Sequence, residues 1–289
     1  MEEQKWKTII NPASETLAIN VKEIWKYRDL ILLFVKRDFI SKYKQTVLGP
    51  LWAIIQPLMT TVVFSIVFGN LAKLTTSDVQ GATLQVPSFL FYMIGTVTWT
   101  YFSTTVQSNS NTFIANRTIM GKVYYPRMVS PISTAISGLI PFTIQIVMFV
   151  ALIVICRIIG IADVHASQYL WLFPVLVLQL MMLGTGIGII ISALTTKYRD
   201  LAMLVGFGLQ LWQYLSPVPY GLGMIPQKYL FIYTLNPVTP IITTLRYAFF
   251  GVGYFDLIAY GISLVVTVVV FWIGIHLFNR IERTFMDTV

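Results

Sequence analysis

Six stretches of this chain contain no lysine, arginine, aspartate or glutamate, and each is long enough to cross a lipid bilayer. The hydrocarbon core of a bilayer is about 30 Å thick and takes roughly 20 apolar residues in a helix. Because backbone groups in lipid must be hydrogen-bonded within their own segment, each stretch predicts a helix. The predicted membrane spans are 51–70, 88–108, 132–155, 170–194, 201–217 and 257–278.

The composition agrees with an integral membrane protein. The 289 residues are 56% hydrophobic and 11% charged, whereas a soluble domain has about 25% charged residues. The net charge of +8 is compatible with nucleic-acid binding, but the charges lie almost entirely between the apolar stretches. That placement favours basic cytoplasmic loops over a nucleic-acid site. The first apolar stretch begins near residue 45, too late for a cleaved signal peptide, so we expect this span to be retained.

The distribution of basic residues predicts the orientation. Six spans place both termini on the same side of the membrane. Sixteen of the 20 lysines and arginines then lie on that side and four on the other. Since cytoplasmic loops carry the excess of basic residues, both termini are predicted to be cytoplasmic.

The N-terminal region is predicted to contain an interfacial helix. Residues 1–21 resemble a flexible cytoplasmic tail, as do residues 281–289 at the other end. Residues 22–45 place apolar side chains mainly on one side of a helix and charged ones on the other, although Arg28 lies on the apolar arc. The pattern predicts an amphipathic helix on the inner leaflet, with Trp25, Arg28 and Phe39 among its interfacial residues. The alternative is a soluble helix that packs on other cytoplasmic parts.

Residues 218–256 fit neither a span nor an exposed loop. They carry few charges, yet their prolines at 219, 226, 237 and 240 forbid one continuous helix. Such a segment can enter the membrane where protein or a water-filled cavity shields its backbone. We predict two short re-entrant helices on the outer side, with ordinary packing of an apolar loop as the alternative.

Several chemistries are absent from the sequence. It contains no phosphate-binding Gly-x-x-x-x-Gly-Lys-Ser/Thr loop and no His-Glu-x-x-His, Gly-x-Ser-x-Gly or Cys-x-x-Cys motif. We therefore expect no catalytic, metal-binding or cofactor-binding residues in this chain. The predicted spans also lack ionisable residues, apart from His276 at an end. Proton- and ion-driven transporters usually carry such residues within the membrane, so a channel or a protein energised by a partner fits better.

Aromatic residues and paired glycines occur within the spans. Trp99, Tyr101 and Phe102 fall in the middle of the second span, away from the interfaces where aromatic belts form. They are the preferred candidates for lining a path along which sugar rings slide, with a belt role as the alternative. Gly184 and Gly188 predict close helix approach in the fourth span, by packing within the chain rather than by dimerisation.

Four motifs in order carry a resemblance to a known family. They are TVLGPLWAIIQPL at 46–58, KVYYPRMVSP at 122–131, KYRDL at 197–201 and LNPVTPIITTLR at 235–246. With an amphipathic N-terminal helix and six spans, the chain resembles the permease subunit of ABC exporters for lipid-linked polysaccharides such as O-antigen, capsule and teichoic acid. The resemblance covers about residues 22–280.

The resemblance implies partners and site residues. Two permeases would assemble with two copies of a separate ATPase subunit, which binds ATP and magnesium. A coupling helix around residues 111–127 and the turn at 196–201 would contact that ATPase. The implied contact residues are Asn116, Arg117, Lys122, Tyr124, Pro126, Arg127, Lys197, Arg199 and Asp200. Their basic members also fit plain positive-inside topology, and Arg199 with Asp200 fits a local ion pair.

The implied channel candidates are Trp99, Tyr101, Phe102, Tyr220, Tyr233 and Arg246. Arg246 is the one charge within the fourth motif, where it could hold a phosphate of the lipid carrier or cap a helix end. The sequence thus predicts a homodimeric, multi-pass subunit of the bacterial cytoplasmic membrane that exports a lipid-linked polysaccharide. The alternatives are an ABC permease for a small lipid or drug, and an integral-membrane transferase acting on lipid-linked sugars.

Overall fold

The computed structural model describes residues 21–71, 86–120, 125–162, 164–195 and 200–286. Within these ranges the chain forms eleven α-helices and no β-strand, which confirms the all-helical prediction. The helices are α1 (Val21–Lys26), α2 (Arg28–Tyr43), α3 (Trp52–Phe64), α4 (Ser88–Ser110), α5 (Thr112–Met120), α6 (Val129–Ile158), α7 (Phe173–Thr195), α8 (Leu201–Leu215), α9 (Gln227–Leu235), α10 (Val238–Phe250) and α11 (Leu257–Met286). Short helical turns extend α3 and α7, at Gly49–Leu51 and Ser65–Leu71 for α3 and at Gln168–Leu172 for α7.

Four helical segments in the described ranges are long and apolar enough to cross a membrane. They are Gly49–Gly69, Val129–Ile158, Gln168–Thr195 and Leu257–Phe278. Helix α4 has 23 residues, which at 1.5 Å per residue reach about 35 Å, but its composition is less apolar. Helix α8 is apolar but has only 15 residues. The six-span count therefore stays a prediction for these two helices.

Helix α4 lies at the centre of the bundle. It packs against α3, α6, α7, α8 and α10, and most of its residues are buried. Its buried side chains alternate large apolar groups with small hydroxyl groups such as Thr96, Thr98 and Thr105. Small and hydroxyl-bearing residues suit the interior of a membrane bundle because they let helices approach closely, whereas the lipid-facing surface must be apolar. The least apolar long helix is therefore the enclosed one.

Glycines bring α7 into close contact with two neighbours. A Cβ atom at Gly188 would lie 2.5 Å from the Cβ of Asn109 on α4. On another face of α7, a Cβ atom at Gly186 would lie 2.8 Å from the Cα of Phe271 on α11. The Gly184–Gly188 pair therefore serves helix packing within the chain, as predicted.

The N-terminal helix is divided and packs on the bundle. The predicted helix over 22–45 breaks at Tyr27 into α1 and α2. Helix α2 buries Ile31, Phe34 and Val35 in a cluster with Tyr125 and Val129, at the start of α6.

Some apolar residues of α1 and α2 are exposed and do not lie on the side of these helices that packs on the bundle. Trp25 is 67% exposed and Leu32 is 63% exposed, so neither contributes to the packed face. Phe39 is half-buried and Arg28 is exposed. Apolar groups thus point both into the bundle and away from it. Packing against the rest of the chain is established, and an inner-leaflet position for the exposed face stays a prediction.

Two short helices, α9 and α10, occupy the segment for which re-entrant helices were predicted. Helix α10 is buried along nearly its whole length, whereas α9 is largely exposed. The end of α10 meets the α6–α7 connection, because the Ser167 amide donates to the carbonyl oxygen of Ala248 at 3.0 Å. Gly251 ends α10 with φ of +69°, and a Cβ there would lie 2.6 Å from the carbonyl oxygen of His165. The depth of both helices in a membrane stays a prediction.

The predicted tails are only partly described. Residues 1–20 lie outside the described residues, so the N-terminal tail is not tested. At the other end, α11 continues to Met286, so residues 281–286 of the predicted C-terminal tail are part of the last helix.

Candidate translocation groove and partner-contact surface

An open groove of about 340 Å³ lies between α3, α4 and α8. Its polar wall consists of uncharged amides and hydroxyls: Gln56, Thr60, Thr96, Thr100, Ser103, Thr104, Gln107, Gln210 and Gln213. Pro57, Trp99, Gly206 and Leu209 complete the lining. The groove is a polar surface on a molecule whose other exposed side chains are largely apolar.

Helical spacing places these residues on one face of each helix. On α4, the polar residues 96, 100, 103 and 107 follow one another at intervals of four, three and four. Residues 206, 210 and 213 on α8 follow the same rule, as do 56 and 60 on α3. Side chains three and four apart share a helix face. The spacing of these polar residues is visible in the sequence. They were not among the predicted site residues because they carry neither a charge nor an aromatic ring.

The groove is equipped for hydrogen bonding to neutral polar molecules. The side-chain amides of Gln56, Gln107, Gln210 and Gln213 make no hydrogen bond within the part of the chain that the structure describes. Each amide offers donors and an acceptor. Among the described residues that line this groove there is no carboxylate, histidine or cysteine. The amides and hydroxyls can hold a hydroxyl-rich chain.

The three aromatic channel candidates on α4 occupy different places. Trp99 is 3% exposed and borders the groove, with its ring centre 6.1 Å from that of Trp212 on α8. Phe102 is fully buried behind it, 5.3 Å from Trp212. Tyr101 points to the opposite side, packs on Phe142 and donates its hydroxyl to the carbonyl oxygen of Ala135 at 3.2 Å. In this conformation Tyr101 and Phe102 are core residues. Of these three residues, Trp99 alone is among the described residues that line the groove.

Arg246 ties α10 to the segment that follows α8. Its Nη1 donates to the carbonyl oxygens of Pro217 at 2.6 Å and Tyr220 at 3.1 Å, and its Nη2 donates to that of Val218 at 2.8 Å. The guanidinium is buried, and Gly95 makes room for it, since a Cβ there would lie 2.7 Å from Nη2. The contacts support the structural alternative for this arginine over phosphate binding.

Tyr220 and Tyr233 lie together near the C-terminal end of α8. The Tyr220 hydroxyl donates to the carbonyl oxygen of Tyr214 at 2.9 Å and lies 3.3 Å from the Tyr233 hydroxyl. Their ring centres are 6.2 Å apart. Neither residue lines the groove described above, so their role in a path stays a prediction.

Asn236, which sequence reasoning missed, fixes the junction of α9 and α10. Its Oδ1 accepts from the Trp212 Nε1 and from the backbone amide of Val238, each at 3.2 Å. Its Nδ2 donates to the Ser216 Oγ at 2.9 Å. The available signal was an asparagine directly before a proline at the start of a helix, a position where a side-chain oxygen caps a backbone amide. Asn236 and Arg246 together fix the C-terminal end of α8.

Helix α5 lies within the segment predicted to form a coupling helix, and the predicted contact residue Asn116 is turned inward. Asn116 is buried, its Nδ2 donates to the Thr112 carbonyl oxygen and its Oδ1 accepts from Arg37 of α2 at 3.3 Å. It therefore joins α5 to α2 and is not free for a partner. Ile114 is an exposed apolar residue on this helix, with 51% of its surface accessible.

The remaining predicted contact residues are only partly described. Pro126 and Arg127 are half-buried in the approach to α6, and Asp200 is exposed directly before α8. The Arg117 side chain and residues Lys122, Tyr124, Lys197 and Arg199 lie outside the described part of the chain. In the described residues no three histidine, cysteine, aspartate or glutamate side chains are grouped to hold a metal ion.

Comparison with known proteins defines the class. The chain matches the family described as ABC-2 type transporter over residues 29–250, and it belongs to that family. It is thus a multi-pass membrane transport protein.

Among curated proteins it is similar to two O-antigen export system permease proteins, both named RfbA. The one from Klebsiella pneumoniae is 28% identical over 263 residues, which cover 90% of this chain and 94% of the relative. The one from Myxococcus xanthus is 25% identical over 93% of this chain and 98% of the relative. The polysialic acid transport protein KpsM of Escherichia coli is 25% identical over 87% of this chain and 93% of its own length.

Proposed function

We propose that this chain is the membrane subunit of an ATP-driven exporter that carries a lipid-linked polysaccharide across the bacterial cytoplasmic membrane. The observation that carries the proposal is the uncharged groove of free glutamine amides and hydroxyls between α3, α4 and α8. A glycan presents hydroxyl groups at every residue, and amides and hydroxyls exchange hydrogen bonds with them without fixed charge. The printed names of the relatives, which refer to O-antigen export and polysialic acid transport, support the same class of substrate.

Transport of this kind needs an energy source, and a separate ATPase subunit is the proposed one. The lining of the groove carries no ionisable residue of the kind that proton- or ion-driven transporters place along their paths. The family is that of ABC-2 type transporters. Helix α5 and the segment before α8 are the proposed contacts, with ATP and magnesium bound by the partner.

A dimer of this chain would complete the path. The groove is open along one side in a single copy. If this side faced lipid, its amides would lie in hydrocarbon without hydrogen-bond partners, which is energetically unfavourable. Two copies with their grooves facing each other, together with two ATPase subunits, form the proposed assembly. The proposed topology has six spans, both termini in the cytoplasm, and α9 and α10 as re-entrant helices over the outer mouth.

Stepwise movement of the polymer through a continuous path is the proposed mechanism. A long polymer cannot be enclosed at once within a bilayer core of about 30 Å. Nucleotide-driven closure of the ATPase pair would push α5 and reshape the groove. Trapping a glycan that is exposed on both faces at once supports stepwise movement, and finding only wholly enclosed substrate contradicts it.

The test is co-purification followed by an export assay. The tagged chain is expressed with the ABC ATPase encoded beside it, and the detergent-solubilised material is assayed for ATP hydrolysis and stoichiometry. Surface polysaccharide is then measured in cells that lack the chromosomal gene. A two-plus-two complex that restores surface polysaccharide supports the proposal. A complex that hydrolyses ATP but restores no polysaccharide favours export of a small lipid or drug, and a chain that purifies without an ATPase favours a transferase.

A further inference from the structure

A second cavity, of about 520 Å³, lies between α2 and the inner ends of α4, α5 and α6. We call it the α2 cavity. It is separate from the groove between α3 and α8, although Thr104 of α4 borders both. Its volume is within the range of about 300–1,000 Å³ typical of small-molecule sites.

The wall contributed by α4 and α6 is rich in hydroxyl groups. Ser108 and Ser137 line it from the two helices, and their hydroxyls make no hydrogen bond within the described residues. Thr104 and Thr134 donate to backbone carbonyls of their own helices, so only their lone pairs face outward. Such a wall offers several donors and acceptors to a ligand that itself carries hydroxyl groups.

The wall contributed by α2 contains two cations in different states. Arg37 is committed, because its Nε and Nη2 lie 2.9 and 2.8 Å from Oδ1 of Asp38 and Nη2 also donates to Asn116. Lys42 has no ion pair and no hydrogen bond in the described ranges. Partial burial lowers the pKa of Lys42 from its ordinary value, although the residue as a whole is exposed.

The geometry points to a ligand with one anionic group and several hydroxyls. Among the described residues that line the cavity, Lys42 supplies the one charge without a counter-ion, since the Arg37–Asp38 pair is neutral overall. The Tyr43 ring lies beside Lys42, with its centre 5.7 Å from the Lys42 Nζ, and the Tyr43 hydroxyl is buried without a hydrogen-bond partner in the described part of the chain. A phosphate at Lys42 would gain a charge-assisted contact, and a polyol beyond it would meet Ser108 and Ser137.

We propose that the α2 cavity binds the headgroup of an inner-leaflet lipid that carries both a phosphate and hydroxyl groups. Helix α2 packs on the start of α6. The proposed topology places this end of the bundle at the inner leaflet, where such headgroups are found. Two sources share this chemistry: a phospholipid with a glycerol headgroup, and a polyprenyl phosphate that bears a sugar. Only the second source rests on the proposed export function.

The experiment measures lipid binding to the full-length chain, purified in detergent with its ATPase partner. The probes are dioctanoyl-phosphatidylglycerol, dioctanoyl-phosphatidylcholine and a short polyprenyl-phosphate sugar, titrated while bound lipid is counted by native mass spectrometry. Loss of a charge-assisted contact weakens binding by about tenfold or more, so Lys42→Gln is expected to show that loss. Lys42→Arg retains the charge and is expected to bind within about threefold of wild type.

The matched control is Lys36→Gln, which removes the same charge from a position on α2 that is likewise exposed but does not line the cavity. It is expected to leave binding unchanged, whereas a general attraction to anionic lipid would respond equally to both lysines. Melting temperatures of all variants are recorded, and Ser108→Ala with Ser137→Ala provides a second set that leaves the charge intact. These hydroxyl variants are expected to weaken binding of both hydroxyl-bearing probes.

The outcomes separate the sources and can overturn the site. Saturable binding of the glycerol lipid that the sugar lipid does not displace assigns the site to a bilayer lipid, and the reverse assigns it to the exported one. No saturable binding of either hydroxyl-bearing probe, or equal binding by Lys42→Gln and wild type, overturns the proposal. Because no export is measured, a failed binding experiment leaves the transport function itself untouched.

Discussion

The guanidinium carbon of Arg246 lies 3.7 Å from the centre of the Phe91 ring, and this contact joins α10 to α4. On its other side the same guanidinium donates to three carbonyl oxygens of the segment after α8. A planar cation can stack on a ring and donate in its own plane at once, which an ammonium group cannot do. One side chain therefore fixes α4, α10 and the C-terminal end of α8 relative to one another.

Replacing Arg246 with lysine is expected to loosen this end of the molecule. The variant keeps the charge but loses the stacking and at least one carbonyl contact, and hydrogen bonds to charged groups contribute about 1.5–3 kcal/mol each. We expect a lower melting temperature of the detergent-solubilised protein by several degrees. Arg28→Lys is the control, because Arg28 is exposed and pairs only weakly with Asp29 at 3.9 Å. Equal melting temperatures for both variants would contradict the conclusion that Arg246 fixes these helices relative to one another.

Gly188→Ala tests the close approach of α7 to α4. The added methyl group would lie 2.5 Å from the Asn109 Cβ and 3.0 Å from the Val106 carbonyl oxygen, so one of the two helices must shift. Overpacking of this kind costs about 1–3 kcal/mol. Gly261→Ala on α11 is the control, since nothing lies within 4 Å of its added Cβ. Denaturation of both variants is compared, and only Gly188→Ala is expected to lose stability.

The groove is tested by the double variant Gln210→Leu and Gln213→Leu on α8. Both amides face the groove and make no hydrogen bond in the described residues, so their loss is not expected to destabilise the fold. Export of surface polysaccharide is expected to fall severalfold, because the wall loses its donors and acceptors. Gln168→Leu, exposed before α7, is the control. If the double variant is correctly inserted in the membrane and export is normal, this part of the groove is not the path of the polysaccharide.

The partner-contact surface is tested at Ile114 on α5. Its side chain is exposed, and a carboxylate there would be poorly accommodated in an apolar contact with a soluble subunit. Ile114→Glu is expected to reduce co-purification of the ATPase by about tenfold without changing the melting temperature of the chain. Ile161→Glu is the control, because Ile161 is also exposed but lies beyond the other end of α6. If the Ile114→Glu variant still co-purifies with the ATPase, the face of α5 that carries Ile114 does not contact the ATPase.

Replacement of Asn116 is expected to lower the stability of the chain, unlike replacement of Ile114. This residue was predicted to contact the partner, but it is buried and joins α5 to Arg37 of α2. Asn116→Ala removes that link and the bond to Thr112, so a loss of about 1–2 kcal/mol of stability is expected. The melting temperature should therefore fall for Asn116→Ala and stay constant for Ile114→Glu. The reverse result would restore the original prediction.

Much of the fold could be predicted because hydropathy is a property of short segments. Uninterrupted apolar stretches and proline positions located the long helices to within a few residues and separated α9 from α10. The absence of charge within the stretches identified a membrane protein without any knowledge of contacts. The paired glycines of α7 also carried their meaning locally, because only a missing side chain permits such close packing.

The sites were predicted less well, and the placement of Trp99 and Phe102 shows why. They lie three residues apart on α4, yet one borders the groove and the other is enclosed behind it. In a membrane protein, lipid and core are equally apolar, so hydrophobic periodicity does not show which face of a helix points inward. The faces are assigned only when the neighbouring helices are in place.

The sequence by itself thus determined that this is a helical membrane protein with a proline-interrupted segment before its last helix, since these follow from local composition. Tertiary structure alone decided that Arg246 bonds to carbonyls 26 to 29 residues away and that Arg37 is neutralised while Lys42 is not. The physical reason is that a polar side chain in a bundle acquires its role from the partners that packing brings within hydrogen-bond distance.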